Sequence, residues 1–349
     1  MKTTLAIYLG APSLDSIRRA QHIKRHFPGT TEIIKGPKSI AHLSYIDAPA
    51  AAYKGEELSP AEERRLIYRW LIKSSPRLLI IDQSPAAAKA AQDVQLPYMC
   101  FRQAQWKDEL KQQHFLFPCT NFIAPFPEEL ESPLTPHWIR NKTLYTGCVN
   151  NNEEPRNKHQ LRQDCQLAPA KKYALIYDSF SNKHYPLHFM NVLSEELPDW
   201  NWLMIHQLME GRFHIGKKME VIGCGSKLDP YLQAADVVIC NADPSCVQRL
   251  AQSNAKVLCI PERDAHSTQL YMARVLKRTG TAVVCAQRPG LSDWKPLLQQ
   301  VQQLPDCPWN SLLQKDRFQR LMSRIRSICG PQSRRDTPGR TSSNAAPQT

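Results

Sequence analysis

The chain has 349 residues, of which 42% are hydrophobic, and a formal net charge of +13 at pH 7. This length exceeds one ordinary core and points to two domains, while the apolar share excludes a chain disordered throughout. No apolar run approaches the roughly 20 residues that cross a bilayer, and the short apolar stretch within Met1–Pro12 excludes a secretory leader, so a cytoplasmic protein is expected.

The first half reads as strands separated by helices. Thr3–Leu9 is a strand, Gly10-Ala11-Pro12 a turn, and Ser13–His26 a helix. Asp15, at the start of that helix, is a candidate base for removing a proton from an acceptor hydroxyl; its other role is to favour the helix dipole. His22 and His26 lie a helical turn apart, have no third ligand in view, and read as surface residues rather than a metal pair.

After a short strand at Thr31–Ile34 and a weakly patterned stretch to Ser59, Pro60–Ser74 reads as a helix. Its Pro60 sits at the first position, and Leu66, Ile67, Trp70 and Leu71 share one face. Arg77–Asp82 is a buried strand. Asp82 stands at its carboxyl end, as a second candidate for acceptor contact or proton removal, or equally as the cap of the helix Pro85–Val94. Leu96–Phe101 is a further strand. Tyr145–Val149 then precedes a polar passage, Asn150–Pro169, read as an exposed connection with a short helix.

The second half repeats the pattern. Tyr173–Tyr177 is a strand, and the loop after it carries Ser179, Ser181 and Lys183, residue types that bind phosphate. A helix at Leu187–Leu197 follows, with strands at Trp202–Ile205 and Val221–Gly223 and then the loop Cys224-Gly225-Ser226. Val237–Cys240 is brief, β-branched and bounded by turn residues, as a buried parallel strand should be. Beyond it come the turn Asn241–Ser245, a helix to Ser253, a strand at Lys256–Ile260, and a charged loop with Arg263 and His266. A helix over Thr268–Lys277 stops at Gly280, and Thr281–Cys285 forms the next strand.

Helices at Trp294–Gln303 and Ser311–Cys329 follow. The second is amphipathic and basic, suited either to anionic lipid or to packing back on the first domain. Pro331–Thr349 has no apolar residue beyond alanine and is expected to be disordered. The eleven cysteines stand singly, without a C-x-x-C pair, and read as reduced core residues, so no metal is expected. General basicity without a basic and aromatic module gives no specific nucleic-acid partner.

Alternating strands and helices mean parallel α/β layers, in which ligands gather beyond the carboxyl ends of the strands and helix N-termini suit phosphate. Two loops qualify here, Asn241–Val247 and Pro261–Gln269. The stretch that holds both loops also carries a resemblance. The apolar strand, the turn with Ser245, Gln248 three residues on, the strand ending in Pro261, the charged loop, and Gln269 followed by Ala273 resemble the C-terminal domain of GT-B glycosyltransferases, most closely family 28. Tyr145-Thr146-Gly147-Cys148-Val149 is similar to that family's element ahead of its interdomain linker. Three departures stand out: the turn has no glycine, Gln248 stands where the family has a Glu, and Met272 stands where it has an Asn. The first loop keeps only Gly10 of the family's glycines and no evident His.

The resemblance implies an α/β protein with two Rossmann-like domains facing across a cleft. Residues 1–150 would be the acceptor-side domain, 151–170 a linker, 171–310 the nucleotide-sugar domain, 311–330 a terminal helix and 331–349 a tail. It implies transfer of a hexose or N-acetylhexosamine from a nucleoside-diphosphate sugar, with UDP as the nucleotide, to the hydroxyl of a glycan or lipid-linked acceptor. Neither a metal nor a cofactor takes part, and a peripheral position on the inner membrane face is an added implication. Ser179, Lys183, Gly225, Ser245, Gln248, Arg263, His266 and Gln269 would hold the donor, and Asp15 or Asp82 would take the proton. The departures leave two alternatives: a degenerate fold member that only binds, and a nucleotide-sugar hydrolase.

Overall fold

The computed structural model describes residues 4–10, 12, 14–36, 58–82, 84–102, 118–147, 157–177, 187–206, 210–215, 218–224, 228–262, 268–310, 312 and 316–330. In the first half, strand β1 (Leu5–Leu9) leads into helix α1 (Leu14–His26), β2 (Thr31–Lys35), α2 (Pro60–Ser74), β3 (Leu78–Asp82), α3 (Pro85–Asp93) and β4 (Tyr98–Phe101). Then come β5 (Asn121–Ala124), a 3-10 turn at Glu128–Leu130, α4 (His137–Lys142) and β6 (Thr143–Tyr145). All six strands pair in parallel, in the order β2-β1-β3-β4-β5-β6.

Strand alternation divides the first core in two. Leu5, Ile7, Leu9, Leu78 and Ile80 face one side, and Ala6, Tyr8, Leu79 and Ile81 the other. On the second side α2 contributes the expected Leu66, Ile67, Trp70 and Leu71, and α3 contributes a run of alanines small enough to bring it close to the sheet. Both helices begin as their sequences specify. Pro60 follows a Ser59–Glu62 capping box, with Ser59 N–H donating to Glu62 Oε2 at 3.0 Å, and Pro85 follows the cap Ser84, whose hydroxyl accepts from Ala87 N–H at 3.1 Å. Asp82 is therefore not the cap of α3.

The second half contains α5 (Lys158–Asp164), β7 (Lys172–Tyr177), α6 (Leu187–Glu196), β8 (Trp200–His206), β9 (Glu210–His214), β10 (Met219–Cys224), α7 (Leu228–Ala234) and β11 (Val237–Cys240). After these come α8 (Pro244–Ser253), β12 (Val257–Cys259), α9 (Thr268–Arg278), β13 (Ala282–Val284) and α10 (Trp294–Gln302). The sheet order is β13-β12-β11-β7-β8-β10-β9, and only the edge strand β9 runs antiparallel to its neighbour. Helices cover both faces. Met190, Leu193, Trp294 and Leu298 lie on one side, and Leu232, Val247, Leu250 and Leu276 on the other. Helix α5, read from the sequence as part of an exposed connection, is anchored here: Leu161 joins the second core, and Arg162 pairs with Asp236 at 2.6 Å.

Helix α11 (Asp316–Cys329) returns to the first half, where Leu321, Met322 and Ile325 are buried against β1 and β3 and against Ala20, Ile23 and Phe27. Each such side chain contributes about 1.5–3 kcal/mol of burial. The apolar stripe that could have met lipid is thus used by the fold. This packing also corrects the sequence reading of His22, which is 6% exposed and stacks on Phe318 of α11, with ring centroids 4.5 Å apart. Burial, with the adjacent His26 and Arg25, lowers its pKa to about 4.

Among the described residues, three contacts tie the two halves. Ala124 at the end of β5, with Phe126 and Leu130 beyond it, is buried in the core of the second half. Arg317 of α11 grips Glu129 through two hydrogen bonds, at 2.8 and 3.2 Å. Arg18 in α1 pairs with Asp229 in the first turn of α7 at 2.5 Å. Because α1 follows the carboxyl end of β1 and α7 follows that of β10, this last pair links the two sheets at their carboxyl edges. Among the described residues no helix is long and apolar enough to cross a membrane.

Candidate active site

Between parallel neighbours, the strand order reverses between β1 and β3 in the first sheet and between β7 and β11 in the second. At such a point the crossovers leave on opposite faces, and a crevice opens beyond the strand ends. The strongest sequence candidates fall at these two points.

At the first, Gly10 N–H donates to the carbonyl of Asp82 at 2.8 Å, joining the ends of β1 and β3. The Asp82 side chain points to the α1 face, is 5% exposed, and accepts from Arg19 Nη2 at 3.2 Å. Arg19 in turn lies over the Phe101 ring, 5.2 Å from its centroid. Burial raises the pKa of Asp82 above the ordinary aspartate value, and the charge and hydrogen bond of Arg19 recover only part of that shift. On the other face, Glu63 of α2 accepts from Tyr8 Oη at 2.7 Å and from Ser84 Oγ at 2.8 Å. Burial, and then the Glu63 carboxylate, raise the Tyr8 phenol well above its ordinary value and so keep it a donor.

Further along this edge, Arg102, just past β4, forms a two-pronged pair with Glu131, whose carboxylate also accepts from Thr135 at 2.5 Å and Tyr145 at 2.8 Å. Burial by itself would raise the Glu131 carboxyl. The hydrogen bonds and charge of Arg102, with the two hydroxyls, hold it below its ordinary value instead.

The second reversal has a different make-up. Beyond β11, Asn241 Oδ1 accepts from Asp243 N–H at 3.3 Å, and Ala242 is fully buried. Pro244 opens the ten-residue α8, as a proline in the first turn should. Cys246 and Val247 turn into the core, while the side-chain amide of Gln248, half-buried one turn into the helix, makes no hydrogen bond among the described residues. Gln269 faces inward at 5% exposure and accepts from Glu262 N–H at 2.8 Å, so it anchors the start of the neighbouring loop. Met272, at the position where the resembling family has Asn, is core at 1% exposure.

Asp15 lies in the first turn of α1 and Ser245 in the first turn of α8, each at the edge expected of it. Their side chains lie outside the described residues, as do Ser179, Lys183, Gly225, Arg263 and His266. Glu63, Arg19, Arg102 and Glu131 went unnoticed in the sequence. None of the four carries a sequence motif. Among the described residues no group of three His, Cys, Asp or Glu is disposed to hold a metal ion.

No family model and no curated relative matches the sequence. Solved structures do match over nearly the whole chain. The spinosyn forosaminyltransferase SpnP is 12% identical with a TM-score of 0.63, covering 94% of this chain and 100% of its own. The UDP-GlcNAc 2-epimerase from Neisseria meningitidis, solved with UDP-GlcNAc bound, is 12% identical with a TM-score of 0.59, covering 93% and 100%. MurG from Acinetobacter baumannii is 10% identical with a TM-score of 0.56, covering 93% and 99%. The chain therefore has the GT-B fold, with two Rossmann-like units.

Proposed function

We propose that the protein transfers a hexose or N-acetylhexosamine from a nucleoside-diphosphate sugar, with UDP as the nucleotide, to an acceptor hydroxyl, without a metal. The observation that carries this is the reversal between β7 and β11, which opens on the N-terminus of α8 with the unengaged amide of Gln248 one turn away. The positive dipole end of α8 suits a diphosphate, and an amide can both donate to and accept from ribose hydroxyls. Ser179, Lys183, Gly225, Ser245, Arg263 and His266 complete the donor site in this reading, and the first unit presents the glycan or lipid-linked acceptor. The protein acts in the cytoplasm, and contact with an anionic membrane is left to basic side chains because the apolar stripe of α11 is buried.

A second reading keeps donor binding without transfer, or replaces the acceptor with water. It is favoured by Asp243, which places a carboxylate immediately before α8, where the diphosphate would lie, and by the burial of Asp82 under Arg19.

Thermal unfolding with UDP, GDP and their sugars tests donor binding. UDP and UDP-sugars should raise the midpoint, with about 2.7 kcal/mol added at a hundredfold excess over Kd, and Gln248→Ala should remove the rise. No response to any nucleotide would sink both readings. Release of UDP without an added acceptor would favour hydrolysis.

A further inference from the structure

We propose that Glu63, rather than Asp82 or Asp15, is the catalytic base that activates the acceptor. This rests on the transferase reading above and names the residue that performs its proton step. Glu63 stands in the first turn of α2, on the sheet face opposite Asp82. The residues that hold it, Tyr8 on β1 and Ser84 just past β3, belong to the two strands between which the order reverses, so it sits at the mouth of the first crevice.

Its two carboxylate oxygens are treated differently. Oε1 takes both hydroxyls, from a Tyr8 that is fully buried and a Ser84 that is 5% exposed. Oε2 takes no hydrogen bond among the described residues, and the side chain is partly exposed. Ser84 is itself fixed, since its oxygen accepts from Ala87 N–H at 3.1 Å, so it has a defined direction in which to donate. One oxygen is thereby pinned to the core and the other left without a partner among the described residues, in a partly exposed side chain, as a general base requires. The first turn of α2 favours its negative charge. Asp82 lacks these features, being buried and ion-paired to Arg19.

In the step, Oε2 takes the proton of the acceptor hydroxyl while the acceptor oxygen bonds to the anomeric carbon of the donor. The bond from that carbon to the phosphate oxygen breaks, its electron pair leaves with UDP, and Glu63 later yields the proton to water.

The test uses the full chain with UDP-glucose and UDP-GlcNAc, an alkyl glycoside or water as acceptor, and UDP release as the readout. Glu63→Gln keeps the shape and the oxygen that Tyr8 and Ser84 bind. It should lower UDP release at least 100-fold, the scale of a lost general base, and leave the UDP-induced rise in midpoint unchanged. Glu63→Asp should recover part of the rate. The wild-type rate should fall on an acid limb that the Gln variant lacks. Release by Glu63→Gln within about threefold of wild type overturns the assignment, as does a rate loss matched by loss of the UDP response, which marks a structural role. Should the variant fail to fold, a wild-type profile without an acid limb overturns it independently. Wild-type protein that responds to UDP yet never releases it from a sugar removes Glu63's role and spares donor binding; protein that ignores UDP removes both.

Discussion

Along the carboxyl edge of the first sheet, Arg19, Asp82, Glu63, Arg102 and Glu131 are each held by a group from another element. The matching edge of the second sheet shows Ala242, Cys246 and Val247 buried beside helical backbone, with Gln248 unengaged. Among the described residues beside these two reversals, the first is organised by charge and the second by volume. Charges held in a fixed geometry suit proton movement, whereas small side chains beside a helix N-terminus leave room for an anion at its positive dipole end.

The two edges should therefore fail in different ways. The largest effect is expected at Arg102. Arg102→Ala leaves Glu131 buried at 4% side-chain exposure with only hydroxyl donors, and should cost about 3–5 kcal/mol in denaturant unfolding. A loss under about 1 kcal/mol would mean that the first edge does not depend on its ion pairs. The second edge should respond to size. Ala242→Leu has no space to enter and should cost about 1–3 kcal/mol, together with the response to UDP; an unchanged midpoint would show that the turn can give way.

The smallest effect concerns acid. His22 carries a folded pKa of about 4 against about 6.5 unfolded, so between these values the unfolded chain binds a proton that the folded chain refuses. Stability must then fall as pH drops from about 6.5 towards about 4. His22→Gln should flatten that slope, and an unchanged slope would mean that His22 takes its proton inside the fold.

Much of the layer pattern was readable in advance because buried parallel strands must be short and apolar on both faces. Val237–Cys240 and Leu78–Asp82 announce themselves in this way. Strand β9 did not, because Glu210-Gly-Arg-Phe-His is polar, lies at an edge, and pairs on one side only. Helix α4 and strand β6 adjoin with six and three residues, too few for a period to show. His22 was misread because nothing near it in sequence signals that Phe318, almost 300 residues on, will cover it.

From the sequence come the elements, their caps and the edge of each sheet on which ligands gather, since these depend on neighbours a few residues away. Sheet order decided the rest. It brought Tyr8 to Glu63 across 55 positions and Arg19 to Asp82 across 63, and it separated two carboxylates that look equivalent on paper into one buried under an arginine and one with an oxygen to spare. A side chain's charge is written in the residue, but its exposure and its partner exist only after distant strands have been laid side by side.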